Sequence, residues 1–135
     1  MSFHGLPQVN VDRGDPYYDQ CLVTANLLAG ELGLEKSEWS HCFQSRFGKQ
    51  VWLKPYTTET LSELSANEVK SVDIICPGFS ADCLETLDEI QIEYRDLFMQ
   101  AGGEQFHYIP ALNEHPNHIE MMYALLSPYL SIADH

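Results

Sequence analysis

The chain has 135 residues, is 44% hydrophobic and carries a formal net charge of −13, a size and composition that suit one globular domain. The charge argues against nucleic acid as a partner, since nothing would neutralise phosphates, and against electrostatic attachment to anionic lipid. It favours cations, metal ions among them.

Cys21, Cys42, Cys76 and Cys83 form no CxxC or CxxH pair, which speaks against a structural zinc site. They sit in apolar or helical-periodic stretches and are expected to be reduced thiols of a cytoplasmic protein. The sequence shows no signal peptide and no apolar run long enough to span a bilayer. Peripheral contact with a membrane stays open.

In chain order, Met1-Ser2-Phe3 is extended but short for a strand, and a loop follows through Gly14. Asp15-Pro16 opens a helix with Cys21, Ala25, Leu28 and Leu32 on one face and Gly33 at its end. Ser40 to Ser45 is a short strand, and Thr57 or Thr58 caps a small helix that buries Leu61 and Leu64. Val72 to Pro77 is a strand. A long helix capped by Ser80 or Asp82 should bury Cys83, Leu87, Ile90, Tyr94 and Leu97, and Gly102-Gly103 stops it. Gln105 to Ile109 is a strand, and a last helix starts near Asn113 or Pro116 and runs to the end of the chain. Strands alternating with amphipathic helices predict an α/β fold: three layers, with a mostly parallel four-stranded sheet flanked by helices. Ligands of such sheets bind beyond the carboxyl ends of the strands.

Chemistry-bearing residues gather in three loops at those ends. His4 is either a lone loop histidine or a metal ligand and proton acceptor. Asp82 and Glu85 fit a capping box. Glu85, Glu89 and Glu93 recur at four-residue spacing, within an arc of about 80° on an α-helix, and only Arg95 is basic between Asp82 and Asp96. Such a row is a solvated face or a path for a hard cation, which carboxylates suit. Phe43 to Gly48 and Trp52 to Pro55 place aromatic rings beside polar groups, as the rim of a core or the wall of a pocket for a flat ligand. No Gly-x-Ser-x-Gly elbow and no Gly-rich phosphate loop occurs.

The segments Ser2-Phe3-His4-Gly5-Leu6-Pro7, Arg13-Gly14-Asp15-Pro16-Tyr17, Phe43-Gln44-Ser45-Arg46-Phe47-Gly48, Trp52-Leu53-Lys54-Pro55 and Pro77 to Leu87 resemble ferrochelatase, in that family's order and spacing. The resemblance covers nearly the whole chain, residues 1–135, but only the carboxyl-terminal half of a ferrochelatase, whose two similar lobes hold the porphyrin between them. It implies a single chelatase-like lobe without its amino-terminal partner, expected to be inactive alone, marginally stable and prone to self-association. In the full enzyme it would insert Fe²⁺ into protoporphyrin IX to form haem.

Carried over by motif, the resemblance assigns His4 and Glu85 to catalysis, and His4, Glu85, Glu89 and Glu93 to the metal. It places Phe79, Asp82, Trp52, Gln44 and Ser45 against the porphyrin, and the acidic row on a helix widened into a π-type turn. Many members carry histidine where this chain has Cys83. No cysteine follows Cys83, so neither an iron–sulfur cluster nor any other permanently bound cofactor is expected; Fe²⁺ is a substrate. Two alternatives are a homodimeric single-lobe sirohydrochlorin-type chelatase and a non-catalytic lobe that binds metal or tetrapyrrole.

Overall fold

The structure is a computed structural model that describes residues 1–130. Four strands and five α-helices follow one another: β1 Ser2–His4, α1 Gln8–Asp12, α2 Tyr17–Glu31, β2 Cys42–Gln44, α3 Thr57–Ala66 and β3 Ser71–Ile75. A π-helix, Glu85–Tyr94, then runs into α4 Arg95–Gln100, and β4 Gln105–Ile109 and α5 Pro116–Leu126 follow, ending in a 3₁₀ turn at Ser127–Tyr129. The expected extension of the last helix beyond residue 130 lies outside the described residues.

The α/β class and the parallel pairing are as the alternation of elements dictates. The four strands form two parallel pairs rather than one continuous ladder: β1 beside β2, with His4 opposite Gln44, and β3 beside β4, with Asp73 opposite His107. Each pair has its own core. Phe3, Cys21, Ala25, Phe43 and Leu53 pack together under the first pair. Leu61, Ile74, Cys76, Ile90, Tyr94, Phe98 and Tyr108 pack under the second. Burying a ring such as Phe98, which is 0% exposed, contributes about 1.5–3 kcal/mol.

Local chemistry sets most boundaries. The Asp15 carboxylate accepts the Tyr17 N–H at 2.9 Å and starts α2. Gly33, at φ 67°, ends it, with Leu34 N bonded back to Ala29 O at 3.0 Å. The buried face of α2 is Cys21, Ala25 and Ala29, whereas Leu32 is 61% exposed. Thr57 opens α3 without capping it, because its hydroxyl meets Ser2 Oγ at 3.0 Å in the interior.

The long helix carries the π-type widening that the family resemblance implies, but its buried line differs from the one an α-helical period predicts. Its first ten residues are π-helical, and the buried line is Thr86, Ile90, Tyr94 and Phe98, with Leu87 44% exposed. Wider i→i+5 turns suit an unbroken four-residue spacing, where an α-helix would alternate three and four.

Candidate functional site

Between the two cores lies a seam of buried polar side chains with Gln44 at its centre. Gln44 is 1% exposed, and every polar atom of its amide is used. Its Oε1 accepts from Ser2 Oγ at 2.7 Å and from Cys76 Sγ at 3.4 Å. Its Nε2 donates to the backbone carbonyl of Glu85 at 2.6 Å and to Glu89 Oε2 at 3.3 Å. Burial raises the Cys76 thiol to about 12, so it stays a protonated donor. Gln44, expected in the porphyrin wall, is therefore an interior strut.

This strut carries both candidate catalytic residues. The Gln44 carbonyl accepts from Gly5 N at 2.7 Å, which seats the turn after His4. A β-carbon on Gly5 would lie 2.7 Å from that same oxygen and 3.1 Å from Trp52 Cε3, so only glycine fits there. The His4 carbonyl is held by the Tyr17 hydroxyl at 2.8 Å, and its Nδ1 lies 2.7 Å from Gly5 O. The half-buried His4 ring sits 6.3 Å from Phe79 at 46°. A hydrogen bond from Cys83 and the residue's own backbone N–H hold the Glu85 carboxyl below the usual range against opposing desolvation, with a lesser contribution from His4. His4, at the carboxyl end of β1, and Glu85, in the first turn of the π-helix, are thus both seated through Gln44.

Cys83 occupies the turn before Glu85 and is half-buried; burial, with Glu85 beside it, raises its thiol. Trp52 is 5% exposed, its indole N–H bonded to Phe47 O at 3.0 Å and its ring 5.0 Å from that of Phe47. It backs the site from below Gly5.

Asp82 makes no capping box. Its backbone N–H goes to Asn113 Oδ1 at 2.8 Å, and its carboxylate accepts from Tyr108 OH at 2.6 Å, Asn113 Nδ2 at 2.8 Å, Thr86 Oγ1 at 3.1 Å and Ala111 N at 3.3 Å. Desolvation works to raise this carboxyl, but the Asn113, Tyr108, Ala111 and Thr86 donors outweigh it and hold it low. Asp82 ties the start of the π-helix to the loop after β4. Sequence reasoning missed its partners Thr86, Tyr108 and Asn113, although the loop to Asn113 lies at a strand's carboxyl end. Asn113, at φ 49°, also binds Ser80 O through its N–H at 3.0 Å.

The acidic row keeps its four-residue spacing but not one environment: Glu85 is half-buried at the mouth, Glu89 turns inward and Glu93 is exposed. None of the three pairs with a lysine or arginine among the described residues. Nor do three or more His, Cys, Asp or Glu side chains converge there into a ready-made metal shell. Among the described residues, no helix is long and apolar enough to cross a membrane.

The strand ends of this α/β lobe gather His4, Phe79 and the start of the π-helix at Glu85, the end at which such sheets bind ligands. The sequence profile of the family described as Ferrochelatase matches residues 1–129, and the chain belongs to that family. It is 60% identical to a ferrochelatase of Aeromonas hydrophila over 93% of this chain and 39% of that protein. It is 55% identical to one of Acinetobacter baylyi, over 96% of this chain and 38% of that one. For "Ferrochelatase 2" of Shewanella oneidensis the identity is 54%, over 96% and 40%. The chain therefore spans about two fifths of the length of these curated relatives.

Proposed function

We propose that this chain forms one wall of a porphyrin metallation site and, joined to the remainder of a longer ferrochelatase, inserts Fe²⁺ into protoporphyrin IX on the way to haem. The observation that carries the reading is that the turn after His4 and the backbone of Glu85 are both hung on the buried Gln44 at the carboxyl end of the strands. Insertion replaces two pyrrole N–H protons by one Fe²⁺, so two protons leave and the metal sheds its water. A neutral imidazole at His4 accepts one proton or meets the incoming metal, and the Glu85 carboxylate is held ionised and ready for either task. Phe79 supplies apolar surface against the macrocycle with the buried Trp52 behind the wall, Ser45 and Asp82 border it, and Glu93 stands at the outer end of the acidic row. The second wall, from the other lobe, excludes water and holds the ring near its reacting geometry. The four free cysteines suit a reducing cytoplasm.

The test is metal insertion into a soluble porphyrin, with porphyrin titration with and without Fe²⁺. The chain alone should bind porphyrin weakly and turn over little or not at all. Turnover by the chain alone near that of a full-length ferrochelatase would instead favour a complete homodimeric chelatase. Porphyrin uptake indifferent to Fe²⁺, with no insertion after the other lobe is supplied, would leave a binding module.

A further inference from the structure

Equal spacing along the acidic row conceals unequal chemistry. An ionised carboxylate accepts about four hydrogen bonds, and Glu89 receives four. Oε1 takes the Ser45 N–H at 2.7 Å and the Tyr94 hydroxyl at 2.5 Å. Oε2 takes the Ser45 hydroxyl at 2.5 Å and Gln44 Nε2 at 3.3 Å. A cation could reach this carboxylate only by displacing one of those donors. Three of the four come from the two residues at the corner after β2. Ser45 stands there at φ 61°, a left-handed conformation that a residue with a β-carbon holds only when its surroundings fix it. That conformation brings its N–H and its hydroxyl to the same carboxylate.

We propose that Glu89 is a positioning residue for metallation rather than a metal ligand. It holds the Gln44–Ser45 corner against the π-helix, and through Gln44 it sets the separation of His4 and Glu85. Gln44 grips the His4 side through its carbonyl on Gly5 N and the Glu85 side through Nε2 on Glu85 O. Glu89 fixes the orientation of that amide from the third direction. The consequence for the reaction rests on the function proposed for His4 and Glu85; the clamp itself does not.

The experiment uses the whole chain, with Co²⁺ as the probe ion and hydrogen exchange read at the Ser45 amide. Glu89→Gln should speed that exchange about tenfold to a hundredfold, as expected for loss of a charge-assisted hydrogen bond. The amides of Phe3 and Leu53 should keep their protection. Co²⁺ affinity should fall less than about threefold, but the visible Co²⁺ bands should shift, because the ligand separation has changed. Glu85→Gln should do the reverse: near-normal Ser45 exchange and about tenfold or more loss of Co²⁺ affinity. If Glu89→Gln costs as much Co²⁺ affinity as Glu85→Gln while Ser45 exchange stays at the native rate, the proposal is overturned.

Should Glu89→Gln fail to fold, Tyr94→Phe removes one donor and leaves the carboxylate. A positioning role predicts faster Ser45 exchange and unchanged Co²⁺ affinity. A ligand role predicts tighter Co²⁺ binding at the freed lone pair, and that result overturns the proposal. If the native chain takes up no Co²⁺, the reading of His4 and Glu85 fails. Ser45 exchange in either variant then decides the clamp alone: faster supports it, unchanged refutes it.

Discussion

Asp82→Asn replaces one atom and should be costly. The carboxylate accepts four hydrogen bonds and the backbone N–H of the same residue is given to Asn113 Oδ1. An amide at position 82 sets its NH₂ against Asn113 Nδ2. Flipping Asn113 relieves that clash but turns its NH₂ toward the Asp82 backbone N–H, so one donor is left unpaired either way. Losing one charge-assisted bond and stranding one donor costs about 2–4 kcal/mol after a discount for the partial exposure of the site. For a domain of this size that is a fall in Tm of about 8–15 °C. The penalty should depend on pH in one direction. The folded carboxyl lies below its ordinary value, so its contribution is complete above about pH 4 and is lost as pH falls through the folded pKa. Urea melts of the native chain and the variant at pH 7 and at descending acid pH measure the gap. A gap below about 0.5 kcal/mol at neutral pH, or one that stays constant into the acid range, would refute the reasoning.

Gly103→Ala would place a β-carbon 2.2 Å from the Phe98 ring, which is 0% exposed, so thermal melting should report about 1–3 kcal/mol of overpacking; an unchanged Tm would mean that the ring yields. His41 is driven below the usual histidine range by burial and by the positive charges of Lys36 and the amino terminus, and its Nε2 has no partner. Its neutral form is the folded one, so stability is full above about pH 6.5 and declines as pH falls; His41→Phe should flatten that decline between pH 7.5 and 5, and an unaltered slope would clear His41 of the role. In a two-lobe ferrochelatase, Glu85→Gln should cut iron insertion about a hundredfold or more and Glu93→Gln less than about threefold; equal effects in steady-state assays would contradict the assignment.

Much of the fold could be read from the chain because local signals agreed with the tertiary outcome. Gly33 at the end of α2 and the strand from Gln105 to Ile109 both appear where expected. The wide turns of the long helix came from the family resemblance alone, since the propensities of Glu85 to Tyr94 are those of an α-helix and the widening belongs to its surroundings, where Gln44 donates to the Glu85 carbonyl. Ile90 and Tyr94 are buried as expected, but Thr86 and Phe98 take the core positions that an α-helical period gives to Leu87 and Leu97, since a threonine does not look like core. The chemical residues at the strand ends were legible as types. Which of them point outward was not: Glu85 and Glu89 carry the same side chain at the same spacing, and only the donors of Ser45 and Tyr94 tell them apart.

The division into two apolar clusters joined by a polar seam also bears on how the molecule opens. Water can replace the partners of Ser2, Thr57 and Gln44 at a smaller cost than it can enter Phe98 or Phe3. The first event on mild denaturation should then be a parting of the lobe along this line, with both clusters still folded. The seam carries the backbone seats of His4 and Glu85, so their arrangement would be lost before either cluster melts. Amide exchange at Ser45, in the seam, and loss of secondary structure should therefore respond at different denaturant concentrations.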